Sequence, residues 1–122
     1  MPVIPPFVLK KLYVKGSLRV EGDGFALDLK NSIAPGTITA FNGLDVDGQA
    51  LDPALVTLVP PSGKPRTTAE VSAQAPLLFP VNASVTVHVR SMQLEPGPHT
   101  LVVHVVVQEV GPLAIPISDT LA

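Results

Sequence analysis

Prolines and glycines cut this chain into short segments, and that spacing restricts it to a fold built from strands. Fourteen prolines and nine glycines are spread over 122 residues. Proline lacks a backbone donor and clashes with the preceding helical turn, so long helices are excluded. Between the breaks, side chains alternate with the period of a strand. Leu12, Val14, Leu18 and Val20 share one side of an expected strand over residues 11–20, with Lys11, Tyr13, Lys15, Ser17 and Arg19 on the other. Glu21-Gly22-Asp23-Gly24 supplies turn chemistry, and Phe25, Leu27 and Leu29 return along a second strand. Asp47-Gly48, between Leu44-Asp45-Val46 and Gln49-Ala50-Leu51, is the strongest short hairpin signal in the chain. Further strands are expected at residues 37–41, 56–59, 85–90 and 113–117, with residues 70–73 pairing weakly. Closely spaced short strands predict an all-β fold: a single antiparallel β-sandwich, Ig-like or jelly-roll-like, with little or no helix. Residues 1–10, carrying Pro2, Pro5 and Pro6, read as an extended proline-rich arm, and residues 11–122 as the sandwich domain.

One strand carries more apolar surface than the domain needs. Residues 101–107 read Leu-Val-Val-His-Val-Val-Val. Leu101, Val103, Val105 and Val107 point to one side, and Val102, His104, Val106 and Gln108 to the other. A small antiparallel sheet keeps one face wet and polar, so the second row calls for cover. A partner surface is the simplest supplier, and a crossing segment such as residues 77–79 is the internal alternative.

Composition narrows the function classes. Hydrophobic residues make up 46% of the chain, which argues for a packed core, while charged residues at 15% are too few to solvate the whole outside. A net charge of −2 gives no electrostatic case for nucleic acid or an anionic membrane. The absence of cysteine excludes disulfides and thiolate metal sites. With no signal-peptide pattern at the start and no apolar stretch near the roughly 18–20 residues of a membrane span, the chain reads as soluble and cytoplasmic.

The chemical inventory is thin. His88 and His104 approach each other if their strands pair, and Asp119 is a third candidate ligand; zinc needs three or four such groups converging. The plainer reading puts His88 on a solvated or interface face, His104 hydrogen-bonded in a buried layer, and His99 in a turn. The carboxylates gather at turns, as Glu21 with Asp23 and Asp45 with Asp47 and Asp52, where turn chemistry accounts for them. Ser62-Gly63-Lys64 lacks the pattern of a phosphate loop, and no serine sits in a nucleophile elbow. No catalytic, cofactor-binding or metal residue is assigned. The candidate interface residues are the basic row Lys11, Tyr13, Lys15 and Arg19, and the second row Val102, His104 and Val106.

The order of several segments resembles the β subunit of bacterial C-glycoside deglycosidases. These are Leu12-Tyr13-Val14-Lys15-Gly16-Ser17-Leu18, Gly24-Phe25, Leu29-Lys30-Asn31, Pro35-Gly36-Thr37-Ile38, Leu94-Glu95-Pro96-Gly97-Pro98-His99, and the tail from Glu109-Val110-Gly111-Pro112-Leu113 to Ile117-Ser118-Asp119. The resemblance implies a non-catalytic subunit of a heteromeric carbon–carbon lyase. Its partner would be a TIM-barrel α subunit holding a divalent, manganese-like metal and a histidine base, and the substrate of the complex a 3-keto C-glycoside. That metal would act as a Lewis acid on the ketone. The competing expectation is a stand-alone β-sandwich module that binds carbohydrate or protein.

Overall fold

The structure is a computed structural model and describes residues 5–33, 35–61 and 63–121. Residues 1–4 of the expected arm and Ala34, Ser62 and Ala122 of the expected sandwich domain lie outside them. The strands in chain order are β1 Arg19–Glu21, β2 Gly24–Lys30, β3 Gly36–Val46, β4 Gln49–Ala50, β5 Val56–Val59, β6 Arg66–Thr67, β7 Leu77–Phe79, β8 Ser84–Val89, β9 Gly97–Val107 and β10 Gly111–Leu121. They form two sheets in which every named pairing is antiparallel. One runs β1-β2-β8-β5-β6 and the other β10-β9-β3-β4, with β7 paired to the start of β3. The expected all-β sandwich is the observed architecture.

The two sheets close on inward rows selected by period-two alternation. Phe25, Leu27 and Leu29 of β2 lie in one core with Val85, Val87 and Val89 of β8 and Val56 and Leu58 of β5. The facing sheet supplies Leu101, Val103 and Val105 from β9 and Ile115 and Ile117 from β10. Each fully buried side chain of this size contributes about 1.5–3 kcal/mol. Along β3 the register slips between Ile38 and Ala40 and again between Phe41 and Gly43. Each slip inserts a residue, so Ile38, Phe41 and Leu44, three apart instead of two, all face the core. That phase change makes β3 one eleven-residue strand where two shorter ones were expected.

The N-terminal segment departs most from expectation. Pro6–Leu9 is a single helical turn and Lys10–Leu12 a 3-10 turn, in place of an extended path. Leu9 and Leu12, three residues apart, reach the core from one side of these turns. The long strand expected over residues 11–20 is also absent. Tyr13 makes an isolated bridge to Leu29, the chain turns at Lys15-Gly16 with Gly16 at φ +85°, and only Arg19–Glu21 pairs with β2. After the turn Val20 is 62% exposed although Leu12 and Leu18 are buried. The weak strand expected at residues 70–73 is replaced by a 3-10 turn at Thr68–Glu70.

Strand ends and edges are managed by local chemistry. Asp47 and Gly48 adopt φ of 50° and 85°, the left-handed pair that a two-residue type I′ hairpin requires. His99 locks this turn: its Nδ1 lies 2.7 Å from Asp47 Oδ2 and its Nε2 is 2.6 Å from the Glu95 carbonyl. The Thr100 amide donates to the other Asp47 oxygen. The outer strands β1 and β6 are only three and two residues long, and β10 carries Pro112 and Pro116. Short edges and missing donors discourage strand addition by another chain.

Two outcomes follow from this geometry. A Cβ on buried Gly24 would lie 1.7 Å from the Val89 carbonyl oxygen. Gly24→Ala must therefore push β2 from β8, and urea denaturation should show about 1–3 kcal/mol of lost stability; an unchanged midpoint contradicts the close approach. The second outcome concerns pH. The Glu95 carbonyl, then Asp47, hold His99 above its ordinary pKa of 6.5, and the Thr100 amide, then His99, hold Asp47 below 3.8. The histidine's contribution is complete below its unfolded pKa and is lost as pH rises through the higher folded value. The aspartate's contribution is present above its unfolded pKa and lost as pH falls through the lowered one. Thermal melts should show stability declining as pH rises above the ordinary histidine value of 6.5, a slope that His99→Gln flattens; an equal slope in both proteins contradicts the lock.

Candidate functional site

The candidate interface residues separate into two places. In the N-terminal segment, the expected basic row does not form a flat strand face. Tyr13 is a structural staple: its hydroxyl donates to Asp119 Oδ2 at 2.6 Å and accepts from the Leu18 amide at 3.0 Å. The Gly16 amide donates to the same carboxylate oxygen at 2.7 Å. Burial, then the Asp119 contact, raises the Tyr13 pKa, while the Tyr13 hydroxyl is the first cause of a lowered Asp119 pKa. Arg19 turns to the Ser17 carbonyl and to the carboxylates of Glu21 and Asp28. Lys11 and Lys15 remain exposed.

Val102, His104 and Val106 do form one outward row on β9. The register sets Pro116, Ala114 and Pro112 of β10 beside them in that order. On the other side, Val102 lies beside Asp45 of β3, His104 beside Gly43, and Val106 beside Ala40. The row is half-buried by these neighbours, and β7 does not cover it, because β7 pairs with β3 at residues 36–38. His104 is on this open face, not in a buried layer, with Nε2 2.9 Å from Asp45 Oδ2. His88 sits on β8 in the opposite sheet, beside Ala26 and Thr57. The strands of His88 and His104 therefore do not pair. Asp119 is taken by Tyr13, and among the described residues no group of three or more His, Cys, Asp and Glu is placed to hold a metal ion.

A feature absent from the sequence reading is an apolar cavity at one end of the sandwich. It has a volume of about 120 Å³ and opens between Leu29 of β2 and the β3, β9 and β10 strands of the facing sheet. Ile38, Val105, Val107, Leu113 and Ile115 form most of its wall. Asn31 and Glu109 are its polar lining residues. Asn31 donates to the Phe79 carbonyl at 2.7 Å and accepts from the Ile33 amide at 3.1 Å. Glu109 accepts from the Thr37 amide and hydroxyl at 2.9 and 3.0 Å, and these bonds hold its carboxyl below the ordinary range. The sequence signal for this cavity was faint: Gly36 and the ends of two strands meet there only after β3 has slipped its register. The Arg66 guanidinium donates to the carbonyls of Glu70, Ala75 and Pro76 and closes the 68–76 segment.

No helix among the described residues is long and apolar enough to cross a membrane. No individually curated protein matches the chain. Residues 8–122 match the family described as the hydroxymethylglutaryl-CoA reductase N-terminal domain. This overturns the resemblance to a C-glycoside deglycosidase β subunit and, with it, the lyase function, the 3-keto C-glycoside substrate and the TIM-barrel α partner. The alternative of a stand-alone carbohydrate- or protein-binding module gains no support either. The physical reason lies in the residues that carried the resemblance. Gly24, Gly36 and Gly111 begin strands in the fold, and Tyr13, Leu18, Phe25 and Leu29 fill or staple its core. Residues with such duties report a sandwich, not a function. The match spans nearly the whole domain, and the chain belongs to the hydroxymethylglutaryl-CoA reductase N-terminal domain family.

Proposed function

We propose that this chain is a non-catalytic β-sandwich that packs against the catalytic part of a hydroxymethylglutaryl-CoA reductase. The observation that carries the reading, beside family membership, is the outward face of the β10-β9-β3 sheet. There Val102 and Val106 lie among Pro112, Ala114 and Pro116, and the side chains of His104 and Asp45 in that patch are bonded to each other. With the sheet edges short or broken by proline, a flat face is the surface left for association. Lys11 and Lys15 would lie outside the contact or at its rim. The chain's own polar groups support a structural role, since His99, Asp47, Tyr13 and Asp119 are engaged in holding turns and strands. The reading assigns no cofactor to this chain, and a cysteine-free domain suits a reducing cytoplasm.

Size-exclusion chromatography with the catalytic part of a reductase from the same genome tests this directly. Co-elution is expected for the native chain. Val102→Glu combined with Val106→Glu should abolish it while leaving the melting curve near that of the native chain, because both positions face outward. Separate elution of the native chain, or unimpaired co-elution of the double variant, contradicts the proposal.

A further inference from the structure

The cavity at the end of the sandwich has features that simple imperfect packing does not explain. Here a volume of about 120 Å³ stands open behind almost entirely apolar walls. Gly36 lines it, and its backbone is not in the left-handed region that requires glycine. A Cβ built on Gly36 would meet Val107 at 3.7 Å, the Phe79 carbonyl at 3.8 Å and the Asn31 amide at 4.0 Å, all ordinary contacts. Neither steric exclusion nor backbone strain therefore demands glycine at this position, and the missing side chain leaves space on the wall.

The polar groups present say what could enter. Asn31 is 3% exposed, and both ends of its side-chain amide are bonded within the fold. The interior thus offers an apolar surface with its buried amide already satisfied. Glu109, whose carboxylate is bonded to Thr37, adds negative charge to the lining. An apolar cavity of about 150 Å³ in another protein stays dry and accepts benzene, so this one matches a single ring or a branched alkyl group in scale.

We propose that the cavity is a binding site for a small, neutral, apolar molecule of about one aromatic ring. The site is separate from the outward face of β9, and its occupancy does not depend on association with a reductase.

Benzene titrated into the intact chain, followed by methyl NMR, is the test. Saturable shifts are expected at Ile38, Val105, Val107, Leu113 and Ile115. Gly36→Val should weaken binding about tenfold or more by placing methyl groups in the cavity. Leu113→Trp, on β10 of the same sheet, is the second variant should the first not fold. Benzoate, which adds a negative charge to the same ring, should bind more weakly than benzene. Absence of saturable shifts in the native chain overturns the proposal, as does undiminished benzene binding by either folded variant. Benzoate binding as tightly as benzene overturns its restriction to neutral ligands.

Discussion

Burial of the inward row of β9 against the facing sheet is the interaction on which the domain depends. Leu101, Val103 and Val105 share a core with Phe25, Leu27 and Val87, and β9 also pairs along its length with both β3 and β10. Removing that row would leave the second sheet with no central strand and the first with no cover. The outer row of the same strand is free of this duty. Its half-burial among Pro112, Ala114 and Pro116 is a consequence of sheet geometry, and it leaves a mostly apolar surface on the outside of the fold.

The sequence was most legible where alternation is undisturbed and turn residues are specific. Val85, Val87 and Val89 face inward as their spacing predicts, and Asp47-Gly48 makes the expected hairpin. It was least legible where one residue changes the phase. Two slips in β3 concealed a continuous strand, and Gly16 folded back what looked like regular alternation after Lys11. Tyr13 illustrates a different difficulty. Its partner Asp119 is 106 residues away, so no local pattern could disclose that its hydroxyl joins the N-terminal segment to β10. The cavity was hidden for the same reason, since Gly36, Leu113 and Leu29 meet only in three dimensions.

Function was less legible than fold, and for a physical reason. Strand alternation, hairpin turns and proline-blocked edges recur wherever a small sandwich must fold and remain soluble. Residues chosen under those constraints carried the likeness to a deglycosidase subunit, which the family match replaces. The features not required for folding are more informative. They are the open apolar row on β9 and the glycine that lines the cavity without a backbone need for it.

Native-state hydrogen exchange on the isolated chain measures the dependence on β9 most directly. Amides of β9 that bond across to β3 and β10 should exchange only on global unfolding, alongside those of β2 and β8, while β1, β4 and β6 open at lower free energy. Exchange from β9 as fast as from those short edge strands would contradict its place at the centre of the fold.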